Sequence, residues 1–113
     1  MKRRRIVWAR SARRDLEAIV SYLADRSPRA GLATLDRLES KARSLVSMAG
    51  RGRVVPELAR LHVRGYRELV VPPYRLIYRA PGADVIVFAV FDARRSLEDV
   101  LLDRLIWFEG QDG

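Results

Sequence analysis

The side chains able to do chemistry in this 113-residue chain are almost all guanidiniums. Of 22 basic residues only Lys2 and Lys41 are lysine. A guanidinium does not give up its proton near neutral pH, so arginine is a poor general base, but it holds negative charge on phosphate or carboxylate well. Arg67, Arg75 and Arg79 fall in stretches that read as strands, and Arg94-Arg95 follows the last of them. If those strands are neighbours, the arginines converge on one sheet surface or edge and make an anion-binding patch. The alternative is that the strand arginines lay their aliphatic stems over apolar surface and keep their heads in water.

Other chemistries are poorly supplied. Without cysteine the chain has no disulfide, thiolate nucleophile or Cys-ligated zinc. His62 is the only histidine, which excludes a His-cluster metal site and speaks against a hydrolytic triad. It reads as a loop residue more readily than as an acid or base. Glu98, Asp99 and Asp103 lack supporting His or Cys and fit a solvated helix face better than a metal site. Gly50 and Gly52 lack the Lys-Ser/Thr that follows in a phosphate-cradling loop. Ser11 and Ser96 are better placed as helix caps than as nucleophiles. No metal and no other cofactor is expected.

The net charge of +8 is unevenly spread. Residues 1–14 hold seven basic and no acidic side chains, and residues 51–80 hold seven against two. Residues 81–113 reverse the balance, with three against seven. Clustering of this kind points to an anionic partner, whether nucleic acid, ribosome or an acidic protein segment. The arginine-to-lysine ratio itself also follows from GC-rich codon usage. At 49% hydrophobic and 32% charged the composition is globular, and the length suits one domain over residues 1–113. No apolar run approaches the ~20 residues that span a bilayer, and the basic start at Met1–Arg5 is not followed by a signal-peptide core. The expectation is a cytoplasmic domain.

The elements that must position the arginines follow from periodicity. Ile6-Val7-Trp8 reads as a first strand, and Ser11 as the cap of a helix whose stripe is Ala12, Leu16, Ile19, Val20 and Leu23. Ser27-Pro28 restarts a helix with Leu32, Leu35, Leu38, Ala42, Leu45 and Val46 on one face, reaching Met48 and stopping at Gly50 as the left-handed residue. So short a link predicts an antiparallel hairpin. Arg51–Gly65 is irregular, with at most a helical turn at Glu57–Leu61. Strands are predicted at Tyr66–Val71, stopped by Pro72-Pro73, and at Tyr74–Arg79, where Arg75, Ile77 and Arg79 share a face. Val85–Phe91, apolar throughout, reads as a strand covered on both sides. Ser96 caps a last helix with Leu97, Val100, Leu101, Leu105 and Phe108 on its stripe, widened by Leu102, Ile106 and Trp107. The order is β-α-α-β-β-β-α.

That order, together with several local strings, resembles the RelE/ParE family of type II toxins. The strings are Ser11–Ile19 after a short strand, Gly50-Arg51-Gly52-Arg53 after the second helix, Tyr74–Arg79, and Val85–Asp92 running into Arg94-Arg95. The resemblance covers Ile6 to about Ile106 and rests on the ordered set of strings. It implies an α+β fold in which a helical hairpin packs on a small, twisted, mainly antiparallel sheet with a C-terminal helix. It also implies a cognate antitoxin in a toxin–antitoxin hetero-oligomer, with no membrane involved. The ribosome-dependent, mRNA-cleaving branch resembles an enzyme built without metal. Its residues here would be Arg67, Arg94 and Arg95, but Val70-Val71-Pro72-Pro73 and Leu101 stand where that branch places an arginine and a tyrosine. The chain is more similar to the ParE-like branch, which implies inhibition of DNA gyrase by protein contacts. The antitoxin-binding residues are not named by the resemblance.

Overall fold

The computed structural model describes the backbone of residues 4–112 and the side chains of residues 4–104. Strand β1 (Arg5–Trp8) leads into helices α1 (Arg10–Arg26) and α2 (Pro28–Arg43). Two 3-10 turns, Ser44–Val46 and Ala49–Arg51, carry the chain to the two-residue strand β2 (Arg53–Val54) and the short helix α3 (Pro56–Arg60). Strands β3 (Tyr66–Val71), β4 (Tyr74–Arg79) and β5 (Asp84–Asp92) follow, and α4 (Leu97–Asp112) ends the chain. The sheet order is β1-β5-β4-β3-β2. Only β1 runs parallel to its neighbour, β5; the other pairs are antiparallel. The α+β architecture with a hairpin on a mainly antiparallel sheet is the one the sequence led us to expect.

The sheet is covered on both faces. On one, Ala12 and Leu16 of α1 and Leu38 and Ala42 of α2 pack against Leu69, Val71, Leu76, Tyr78, Val85, Val87 and Val90. On the other, Leu97 and Val100 of α4, with Leu58 of α3 at the margin, meet Val55, Ile77, Ala89 and Phe91. β5 serves both cores by alternation, and a bulge shifts that alternation midway: Tyr78 pairs with Val87 and Ile77 with Ala89, leaving Phe88 as the extra residue. Cover on both faces is the physical basis of its uninterrupted apolar sequence.

Helix boundaries differ from expectation in two places. Ala9, not Ser11, is the N-cap of α1; Ser11 lies inside the helix and donates its hydroxyl to the Phe88 carbonyl at 3.0 Å. Helix α2 stops at Arg43, five residues early, and the chain reaches Gly50 through the two 3-10 turns. Gly50 is not left-handed; among the described glycines Gly65 alone has a positive φ. Ser27 and Ser96 do cap, accepting from Ala30 N at 3.2 Å and Asp99 N at 3.1 Å. Leu32 was expected on the buried stripe and is exposed instead. Its neighbour Gly31 takes the contact with α1, where an added Cβ would lie 3.0 Å from both Ala24 Cβ and Val20 O. Strand β2 is too short for a period-2 signal and was not expected. The stripe positions Leu105, Ile106, Trp107 and Phe108 lie outside the described side chains. Among the described residues no helix is long and apolar enough to cross a membrane.

Candidate functional site

The five arginines singled out by the sequence do not converge. Arg75 and Arg79 share the α4 face of β4, as alternation requires, but Arg75 is internal: its side chain is 8% exposed. Arg75 Nε and Nη2 donate to Glu68 Oε1 at 2.9 and 2.6 Å, and Nη1 and Nη2 donate to Glu57 Oε2 and Oε1 at 2.8 and 2.7 Å. Its guanidinium also lies 5.0 Å from the Phe91 ring centroid and donates to the Arg95 carbonyl at 3.3 Å. Arg53 Nε closes the cluster on Glu68 Oε2 at 2.6 Å, and Glu57 Oε2 accepts the first N–H of α4, from Leu97, at 2.8 Å. The Arg75 hydrogen bonds hold the Glu57 carboxyl down at about 2, against the desolvation that opposes them. They raise the pKa of Arg75 in turn. A guanidinium so enclosed is a tie between β2, α3, β3, β4 and α4, not a surface for a ligand.

Arg94 and Arg95 are at the surface but paired. Arg94 grips Asp92 through Nε at 3.0 Å and Nη2 at 2.7 Å, and holds that carboxyl down to about 2. Arg95 pairs with Asp103 on α4. Asp92 and Asp103 thereby lower the anion affinity of both arginines.

Beyond Trp8 the outer edge of β5 has no strand partner, and side chains complete it. Phe88 O accepts from Ser11 Oγ and from Arg104 Nη1, both at 3.0 Å, while Val90 N donates to Asp15 Oδ2 at 2.9 Å. Arg104 bridges to Asp15 as well, joining α4 to α1. Burial raises the Asp15 pKa, with Val90 N–H and Arg104 working against the rise.

Arg67 lies on the opposite face from Arg75, beside Tyr78 in the β3–β4 register. Its Nη1 donates to Gly52 O at 2.9 Å. The buried Tyr78 hydroxyl donates to Ala49 O at 2.6 Å and accepts from Gly52 N at 2.9 Å, fixing the turn that precedes β2. Burial raises the Tyr78 pKa, and the charges of Arg67 and Arg51 draw it back. Arg79 is exposed, 5.6 Å over the Tyr66 ring and close to Gly65. His62 is also exposed, at φ 59°, in the turn after α3. It lines a cavity of about 290 Å³ with Arg64 and Arg67.

Glu57, Glu68, Asp15 and Arg104 were not anticipated. Glu68 alone carried a signal, as the one acid among β-formers in Tyr66–Val71, facing Arg75 across the hairpin two positions off register. Among the described residues no group of three or more His, Asp or Glu side chains could hold a metal ion.

Comparison with known proteins adds to this geometry. The family model for the ParE toxin of the type II toxin-antitoxin system, parDE, matches residues 6–97. A chain of the chromosomal ParDE TA system from P. aeruginosa has a similar fold, with a TM-score of 0.64 at 23% identity over 79% of this chain and 95% of that one. No curated protein sequence matches.

Proposed function

Because the chain belongs to the ParE toxin family of type II toxin-antitoxin systems, we propose that it arrests growth by binding a protein target, DNA gyrase, in the cytoplasm. On this reading residues 1–113 act as one toxin domain. A cognate antitoxin neutralises it in a hetero-oligomer, presenting acidic residues to the exposed arginines. The target-contacting residues in this account are Arg67, Arg79, Arg94 and Arg95, with Arg75 acting as an internal tie.

One observation favours binding over RNA cleavage. A metal-free ribonuclease needs cations directed at the scissile phosphate, and two of the three arginines that reading would use, Arg94 and Arg95, are each paired with an aspartate. Loss of a general acid–base group alone removes a factor of ~10²–10⁴ in rate, and Leu101 replaces the tyrosine that the RNA-cleaving branch places there.

Induction in a bacterial host followed by primer extension on abundant mRNAs tests the choice. The expected result is growth arrest without codon-position cuts, relieved by co-expression of the antitoxin encoded beside the toxin. Cuts within minutes of induction would replace this reading with the ribosome-dependent endonuclease.

A further inference from the structure

The ion pairs sort the arginines into two groups. Arg5, Arg53, Arg60, Arg75, Arg94, Arg95 and Arg104 each meet a carboxylate within 4 Å. Arg4, Arg37, Arg51 and Arg67 do not; among the described residues each donates only to a neutral oxygen, Arg37 to Pro72 O at 2.8 Å. Arg4 Nε bonds Gly82 O at 3.0 Å, Arg51 Nη1 bonds Ser44 Oγ at 2.8 Å, and Arg67 Nη1 bonds Gly52 O at 2.9 Å. A guanidinium has five N–H donors, so these bonds orient each head while leaving its full charge and most of its donors available. Such orientation by fixed neutral acceptors is what a preorganised anion site requires.

Arg4 and Arg67 belong to one place. They line a cavity of about 190 Å³ with Ala49, Gly50, Gly65, Tyr78 and Ala80. Around Gly50 there is open space where a side chain would otherwise stand. The phenol at the base of the cavity has its proton on Ala49 O, so it brings no negative charge.

We propose that this pocket, formed by Arg4 and Arg67 over the Ala49–Gly52 turn, binds a phosphoryl oxyanion. A tetrahedral phosphoryl group can accept from several guanidiniums approaching from different sides, whereas a carboxylate offers two oxygens in one plane. The phosphate comes from a free small molecule or from a nucleic-acid backbone; both present the same oxygens. Arg67 is shared with the proposed target-contacting set, but phosphate binding tests the site whichever target the toxin inhibits.

Titration of the full chain with inorganic phosphate by calorimetry, and with labelled short duplex DNA by anisotropy, tests this. The wild-type protein should bind at least one probe saturably, and Arg67→Gln and Arg4→Gln should each weaken it about tenfold with unchanged circular dichroism. Arg26→Gln, the same charge change on the helical hairpin, should leave binding intact. Phosphate binding without DNA binding assigns a free ligand; DNA binding displaced by phosphate assigns a backbone contact. Three results would overturn the site: no saturable binding of either probe, equal loss in Arg26→Gln, or binding of poly-glutamate but of neither phosphate probe.

Discussion

Tyr78 and Gly52 form one contact between a strand and a turn, and each dictates the other. The hydroxyl satisfies both Ala49 O and Gly52 N inside the protein. Tyr78→Phe would leave those two backbone groups buried and unpaired, at a cost of about 1–3 kcal/mol in denaturant unfolding. A Cβ at position 52 would stand 2.6 Å from both Glu68 O and the Tyr78 hydroxyl. The backbone oxygen cannot move aside, so Gly52→Ala should cost about 1–3 kcal/mol by the same measurement. Ser11 illustrates how residue-scale reading fails. A serine at a helix start satisfies an orphan N–H in most settings, but here the unpaired Phe88 carbonyl beyond the end of β1 competes for the hydroxyl and takes it. That competitor comes from 77 residues away, and no local pattern contains it.

Between elements, the Arg75 cluster is the main polar tie. Removing one partner of a buried ion pair leaves the other charge uncompensated, so Arg75→Met should cost about 3–5 kcal/mol. Calorimetric melting would show it as a lower Tm with the fold retained. Glu57 gives the cluster a pH signature. Its folded pKa, about 2, lies below the ordinary 4.5, so its contribution is fully present above pH 4.5 and disappears as pH falls through about 2. Glu57→Gln should flatten that part of the acid-unfolding curve and leave the neutral part shifted but parallel. At the other end, α4 is tied to the body through Leu97, Val100 and the Arg104 bridge to Asp15 and Phe88 O. Arg104→Ala should raise amide hydrogen exchange in residues 97–104 while β3 and β4 stay protected. The helices and the three long strands were legible because their periods run over many residues. β2, two residues long, was not, and α3, five residues long, showed only as a helical turn at Glu57–Leu61; tertiary contacts from β3 and α4 define them.

For the whole molecule, the net charge of +8 resolves into neutralised and uncompensated arginines. Counting charges along the chain located the excess in residues 1–14 and 51–80 but could not separate the two kinds. The separation depends on Glu57 and Glu68 reaching Arg75 from other elements and on Asp92 and Asp103 turning to Arg94 and Arg95 nearby in the chain. The sequence grouping of Arg67 with Arg75 failed for a related reason, since their places in the β3–β4 register put them on opposite faces of the sheet. On the face expected to bind anions Arg75 is internally paired, while Arg4 and Arg67 beside the Ala49–Gly52 turn and the exposed Arg79 belong to the arginines that meet no carboxylate among the described residues. The most direct test is a supercoiling assay with purified gyrase and the antitoxin-free protein. The account predicts loss of supercoiling with accumulation of cleaved DNA, restored by added antitoxin. Full supercoiling at micromolar protein, with no cleaved product, would contradict it.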